Sequence, residues 1–159
     1  MARHVWSVLC ERSAIDKDDS QISLLAVTEK LNFHQTPDEY ELLETALHKA
    51  KGQNKAVPFP ANLHLVSMWV RSDPHKPEGP IPVQYSIVAP DGWKFPKVGA
   101  EVDLGQSAAC RTRWKLDSLL FRGFGFYWIS VQSKSGKNWR THTRIPLEMV
   151  KGQAKFPRA

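Results

Sequence analysis

The sequence predicts a mainly β protein: an antiparallel β-sandwich of about eight strands with one covering α-helix at about residues 37–51. Three observations support this prediction. Short runs of alternating apolar and polar residues recur along most of the 159-residue chain. Turn-forming residues separate these runs at short intervals, which is typical of sandwiches and barrels. A single segment instead carries the three- and four-residue apolar spacing of an amphipathic helix.

The predicted strands differ in how clearly they are bounded. Residues 22–33 form one extended run, and we expect it to make a hairpin with the first strand across the acidic turn at 16–20. Residues 73–82 contain four prolines and one glycine and are predicted to form a loop. The eight strand-like runs are residues 3–10, 22–33, 63–70, 83–88, 95–104, 110–117, 124–131 and 139–145.

The helix has start and stop signals in the sequence. Thr36 can serve as the N-cap, Pro37 suits the first helical position, and Glu39 completes a capping box. Gly52 is placed to end the helix. We expect the apolar face to cover one side of a sheet. The side chains that share this face are Tyr40, Leu43, Leu47 and Ala50.

The positive charge is unevenly distributed. The whole chain has a net charge of +6 and a pI near 9.4. Residues 107–159 alone carry 11 basic and 2 acidic side chains, whereas the preceding residues are slightly acidic. We interpret residues 1–150 as a single domain and 151–159 as a basic C-terminal tail. A basic tract of this kind attracts phosphates or acidic protein surfaces.

Several classes of protein are disfavoured. No apolar run reaches the length of a membrane span, and the N-terminal residues lack the apolar stretch of a signal peptide. Cys10 and Cys110 form no CxxC pair, so we expect two reduced thiols in a cytoplasmic protein. The six histidines show no HxH or HExxH spacing, and neither a Walker loop nor a GxSxG motif is present. We therefore expect no metal, no cofactor, no small-molecule substrate and no enzymatic activity.

Two basic stripes are predicted from strand alternation. One has Arg111, Arg113 and Lys115 facing outward, with Trp114 facing inward. If the strand at 122–131 runs between the two stripes, they share one sheet face and form a phosphate-sized groove. Packing of long basic stems over an apolar rim is the alternative interpretation. The second stripe consists of Arg140, His142 and Arg144.

The most specific string is Arg122-Gly123-Phe124-Gly125-Phe126. It resembles the RNP1 motif of RNA-recognition and cold-shock domains. The resemblance implies that Arg122 meets a phosphate and that Phe124 and Phe126 stack on bases. A core strand rich in Phe and Gly is the alternative interpretation.

The strand that follows is apolar on both sides. Alternation places Phe124, Phe126 and Trp128 on one face, and a second apolar set on the other. A half-exposed strand is apolar on one face only, so we expect both faces to be covered. The helix is the predicted cover, and a partner chain is the alternative. The opposite set consists of Tyr127, Ile129 and Val131.

Four further segments together resemble an uncharacterised bacterial β-sandwich family. They are residues 8–11, 22–25, 58–60 and 87–92. The resemblance implies a bacterial source, an opening hairpin and the central strands of a sandwich. The activity of that family is unknown, so the resemblance implies a fold and no function.

Two binding functions follow from these patterns. The first hypothesis is a non-enzymatic protein that binds an acidic protein surface, or a second copy of itself, through its basic C-terminal sheet. The alternative is a single-stranded nucleic-acid binder that uses basic side chains on phosphates and aromatic rings on bases. The candidate binding residues are Arg111, Arg113, Lys115, Arg122, Phe124, Phe126, Arg140, His142 and Arg144.

Overall fold

The computed structural model describes residues 2–15 and 22–152; the acidic turn at 16–20 and the tail beyond residue 152 lie outside these ranges. Within them the chain forms nine strands and one helix. This helix lacks the length and apolar character needed to cross a membrane. The elements are β1 Arg3–Ile15, β2 Ile22–Val27, β3 Lys30–Phe33, α1 Pro37–Gly52, β4 Val57–Val70, β5 Glu78–Val88, β6 Val98–Leu104, β7 Ala109–Phe121, β8 Gly125–Ser135 and β9 Asn138–Lys151.

The strands form two sheets, which confirms the prediction of a mainly β protein with one helix. The first sheet has the order β2-β1-β4-β7, and the second has the order β3-β9-β8-β5-β6. The second sheet is curled like half of a barrel. All pairs are antiparallel except β3 with β9, which run parallel. This pair is an exception to the antiparallel pairing predicted from the sequence.

The predicted single run at 22–33 is divided between the two sheets. β2 pairs with β1 as the expected hairpin, whereas β3 pairs with β9. The chain crosses over at residues 28 and 29, where the Thr28 N–H donates to Leu9 and the Glu29 carbonyl accepts from Glu148. Periodicity within one apolar run could not show that its two halves bond to different strands, because that choice depends on residues far along the chain.

The predicted loop at 73–82 ends earlier than expected, since β5 begins at Glu78 and contains Pro80 and Pro82. A register shift against β6 lies between Glu78 and Ile81. Pairing with β8 begins only at Val83. The prolines therefore occupy a portion of the strand that pairs on one side only, which is where sheets tolerate proline.

The capping box of α1 is present as predicted. The Thr36 N–H donates to a Glu39 carboxylate oxygen at 2.7 Å, and the Glu39 N–H donates back to the Thr36 hydroxyl. Tyr40 is the buried residue of the helix, and its hydroxyl donates to the Phe33 carbonyl at 2.5 Å. Leu43 and Leu47 pack against the core. The helix is thus fastened to the end of β3.

Side chains from both sheets meet in one core. Tyr85 of the second sheet donates a hydrogen bond to Thr112 of the first at 2.6 Å. Its ring also stacks on Trp114, with centroids 5.3 Å apart, which confirms that Trp114 faces inward. Trp69 is fully buried and donates its indole N–H to the same threonine. The inner faces of the sheets are therefore occupied by packing and are not available to a ligand.

Gly152 provides a test of how β3, β9 and α1 are joined. Its N–H donates to the Phe33 carbonyl at 2.6 Å, and a Cβ built there would overlap that carbonyl oxygen. We expect Gly152→Ala to lower the free energy of unfolding by about 1–3 kcal/mol, because the two backbones must separate. Urea unfolding measures the change. Gly99→Ala is the matched control, since a Cβ at Gly99 meets nothing within 4 Å; equal losses in both variants would contradict the prediction.

Candidate functional site

The RNP1-like string does not form one continuous strand. Gly123 and Gly125 have φ angles of 136° and 124°, in a region that side-chain-bearing residues rarely adopt. These two glycines turn Phe124 inward, where its ring lies 5.2 Å from that of Phe121 and 6.2 Å from that of Tyr40. The prediction that Phe124 shares a face with Phe126 is therefore wrong. Phe124 belongs to the packing beneath α1.

Phe126 and Trp128 lie on the outer face of the second sheet. They are 50% and 44% exposed, and their ring centroids are 6.3 Å apart with a 31° tilt. The prediction that α1 covers this face is wrong, because α1 packs against the end of the core and leaves these rings open; cover by a partner chain stays a prediction. The opposite face is fully buried, as the side chains of Tyr127, Ile129 and Val131 show. We call the exposed pair the aromatic face.

A concave polar surface adjoins the aromatic face. Trp128 lies opposite Val88 on β5. Two residues further along β8, Ser130 lies opposite Ser86 on β5 and opposite Arg144 on β9. Short side chains at this row leave a cavity of about 260 Å³. Gln132 borders it and is held by hydrogen bonds with Gln84 at 2.6 Å and Thr141 at 2.9 Å. We call this surface the polar cavity.

Three cationic side chains line the polar cavity, namely Lys94, Lys97 and Arg144, and no carboxylate is among its lining residues. Lys94 follows the turn at 90–92 and is held beside β5 by a bridge to Val88. Arg144 was predicted to face outward, and its position opposite Ser130 confirms this. Lys94 and Lys97 could not be predicted as site residues, because the extended stretch around them is interrupted by Pro96 and shows no alternation.

The acidic residue opposite Phe126 is paired with a lysine. Glu148 lies opposite Phe126 on the neighbouring strand. Its carboxylate forms an ion pair with Lys30 at 3.2 Å. The second sheet therefore presents aromatic rings, uncharged polar groups and three cations without an unpaired negative charge at its centre.

Arg122 is occupied by internal contacts. It is 8% exposed, and its guanidinium binds one Asp91 oxygen through two nitrogens, at 2.7 and 2.9 Å. It also donates to the Lys55 carbonyl, and its guanidinium carbon lies 5.5 Å from the centre of the Trp93 ring. Burial opposes ionisation of Asp91, but hydrogen bonds and charge from Arg122 hold the pKa of that carboxyl below its usual range. The arginine is thus placed to stabilise the fold rather than to meet a phosphate.

The first basic stripe has the predicted alternation but not the predicted neighbours. Arg113 and Lys115 are exposed and Arg111 is half-buried on β7, the edge strand of the first sheet. β8 lies between β9 and β5 in the other sheet. The groove predicted between two stripes is therefore absent from the described residues. Lys115 moreover forms an ion pair with Asp117 at 2.7 Å.

The second basic stripe is split by a β-bulge. Val131 pairs with Thr143 while the next residue, Gln132, pairs with Thr141, so His142 is an extra residue in β9. Because a bulge inverts the alternation beyond it, Arg144 faces the polar cavity whereas His142 points to the other side. The prediction of one outward face for Arg140, His142 and Arg144 is wrong. Arg140 and His142 line a separate cleft with Arg3 and His4.

Comparison with known proteins adds no assignment. No protein-family model matches the chain, and a search of curated proteins finds no significant match.

Proposed function

We propose that the protein binds single-stranded nucleic acid on the outer face of its second sheet. The observation that carries this proposal is the exposure of Phe126 and Trp128 on the central strand, beside a cavity lined by three cations. Aromatic rings exposed on a sheet and flanked by basic groups are the arrangement used by single-strand binders. The RNP1 resemblance supports the proposal at Phe126 alone, since Arg122 and Phe124 are engaged in the interior.

Different side chains of this surface suit different parts of a nucleotide. Phe126 and Trp128 offer π-faces on which unpaired bases can stack, whatever the base. Lys94, Lys97 and Arg144 supply positive charge for the backbone phosphates. Ser130, Gln132 and Thr141 offer hydrogen-bonding groups without charge. Stacking with non-specific phosphate contacts gives weak sequence preference, so we expect binding to depend on strandedness more than on sequence.

The salt dependence of binding tests the electrostatic part. Three neutralised phosphates predict a log–log slope of about −2 for single strands, at about −0.7 for each phosphate. We expect each single substitution Lys94→Gln, Lys97→Gln or Arg144→Gln to reduce that slope by about 0.7. Fluorescence anisotropy of labelled single-stranded RNA and DNA, titrated at several salt concentrations, measures it.

The matched control removes positive charge from the first sheet. Arg113→Gln with Lys115→Gln lowers the net charge by two on the edge strand β7, far in the topology from β8. This variant should keep the slope of the unmodified protein. An equal reduction in slope would mean that binding follows overall charge, and absence of binding at low salt would remove the nucleic-acid proposal altogether.

Binding of an acidic protein strand along β7 is the second candidate. β7 is a 13-residue edge strand with exposed Arg113 and Lys115, and edge strands accept a further strand through their free backbone groups. The Nε of Arg111 is buried and has no hydrogen-bond partner in the described part of the chain. Basic residues on an edge also prevent unwanted pairing, which is why this candidate ranks second.

We further infer that the two sheets pack as a sandwich and that the protein works in the cytoplasm. The shared core and the Tyr85–Thr112 hydrogen bond between the sheets support the first inference. The free thiols of Cys10 and Cys110 support the second, because reducing compartments preserve them. A bacterial origin, as implied by the family resemblance, is compatible with both.

A further inference from the structure

A basic cleft lies where β1 of the first sheet meets β9 of the second. Its volume is about 510 Å³, within the range of small-molecule sites. Two arginines and two histidines line it, and no carboxylate is among the lining residues. We call it the basic cleft, and its lining consists of Ala2, Arg3, His4, Ser72, Arg140 and His142.

Two β-bulges, one in each sheet, create this cleft. In β1, His4 pairs with Trp69 and Trp6 pairs with Met68, so Val5 is an extra residue. In β9, His142 is the extra residue. Bulges re-aim side chains and recur next to binding sites. Here they bring His4 and His142 together, with ring centroids 5.5 Å apart.

The two histidines are held in place by matching contacts. The Nε2 atom of His4 lies 2.7 Å from the Ser7 hydroxyl, and that of His142 lies 2.7 Å from the Ser133 hydroxyl. Both rings meet Trp69 edge-on, at centroid distances of 5.0 and 5.2 Å. A ring fixed by a hydrogen bond and an aromatic neighbour loses little freedom when a ligand binds.

Burial and neighbouring positive groups disfavour protonation of the two histidines in the cleft. Burial, and then the neighbouring His142, lower the pKa of His4; burial, and then Arg140, lower the pKa of His142. Glu78 lies beside the cleft, where it accepts a hydrogen bond from the Ser72 backbone at 2.7 Å. Below the pKa values of the two histidines, four positive groups would share the cleft. A bound anion would offset this positive charge.

We propose that the basic cleft binds a tetrahedral oxyanion, namely the phosphate group of a small molecule. Arg3 and Arg140 have the planar, forked donors that match phosphate oxygens, and His4 and His142 add positive charge on the cleft wall when protonated. The volume exceeds that of a phosphate group alone and leaves room for an attached organic part. This site is separate from the aromatic face, because the β9 bulge directs Arg140 and Arg144 to opposite sides of the sheet.

Binding should strengthen as the pH falls. The anion favours the protonated histidines, so it raises their pKa values, and a rise of one unit in one histidine corresponds to about tenfold tighter binding to its protonated form. Sulfate is the appropriate probe, since it stays divalent between pH 5.5 and 8. We expect a saturable shift of the histidine ring signals in NMR spectra at low ionic strength, with affinity rising as pH is lowered.

Substitutions localise the effect. Arg140→Gln should weaken sulfate and inorganic phosphate binding about tenfold or more, as expected for loss of a charged hydrogen bond. Arg144→Gln removes the same charge from the outer face of the same strand and should leave binding unchanged. Absence of a saturable shift, or equal weakening by both variants with their folds intact by circular dichroism, would overturn the proposal.

The source of the phosphate is decided by a second pair of probes. Glycerol 3-phosphate binding more tightly than inorganic phosphate would indicate an organic phosphate as the ligand. Equal affinities would assign the site to the free ion. That result would support an oxyanion site and contradict the proposal that its ligand is an organic phosphate. Nucleic-acid binding measured in parallel with Arg140→Gln should be unaffected, so either proposal can fail without the other.

Discussion

Replacing Arg122 with alanine is expected to lower the free energy of unfolding by about 2–4 kcal/mol. The guanidinium is almost fully buried and makes two contacts with Asp91, one with the Lys55 carbonyl and one with the Trp93 ring. Removing one partner of a buried ion pair costs about 3–5 kcal/mol. The lower range applies here because the Asp91 side chain is 28% exposed and water can solvate it.

The effect of Arg122 should appear in stability and not in binding. Denaturant unfolding of Arg122→Ala gives the first quantity, and titration with single-stranded RNA gives the second. Arg122→Lys is the control that keeps the charge but loses the two-nitrogen contact, and it should fall between the other two proteins. A variant that stays stable yet loses affinity for RNA would contradict this expectation. It would support the phosphate-binding role that the RNP1 resemblance implies for Arg122.

Replacing Phe126 and Trp128 with alanine is expected to abolish most single-strand binding. Each base stacked on an aromatic side chain contributes about 1–3 kcal/mol, which corresponds to about a 5- to 150-fold loss of affinity for each substitution. Both rings are about half exposed, so their removal opens no cavity. We expect the double variant to stay folded but to lose about 2–3 kcal/mol of unfolding free energy, because the buried half of each ring loses its contacts.

Trp139→Ala provides the matched aromatic control. Trp139 is 40% exposed and lies on the same pair of strands, opposite Lys134 and next to the β8–β9 turn. Its partner Lys134 lies six residues beyond Trp128 on β8, so the loss of Trp139 should weaken binding far less than the loss of the aromatic face. If the double variant binds as tightly as the unmodified protein, or if Trp139→Ala weakens binding equally, the aromatic face is not the nucleic-acid surface.

The features predicted well from the sequence were those set by local patterns. The helix was predicted at its observed position because Thr36, Pro37 and Glu39 define its start within one turn. The alternation of β7 was predicted because the strand is regular from Cys110 to Asp117. In each case the relevant forces act between residues that are close along the chain.

The features that were predicted wrongly depend on single residues that change which face of the sheet the neighbouring side chains occupy. Two glycines with positive φ reverse Phe124, and one extra residue at His142 reverses Arg140 relative to Arg144. Nothing in the composition of β9 marks the bulge, since a bulge is defined by the strand opposite. The sequence therefore predicts that basic and aromatic residues form the candidate site. It does not predict that they divide between the aromatic face and the basic cleft.

The parallel pairing of β3 with β9 has a consequence for how the protein is made. Residues 30–33 pair with residues 148–151. During synthesis, β3 therefore has no strand partner until nearly the whole described chain has left the ribosome. Until then α1, which Tyr40 fastens to Phe33, lacks its second anchor at Gly152. Pairings this distant slow folding and leave strand edges open meanwhile. The edges of β3 and β9 are therefore the ones that stay unpaired longest while the chain is being made.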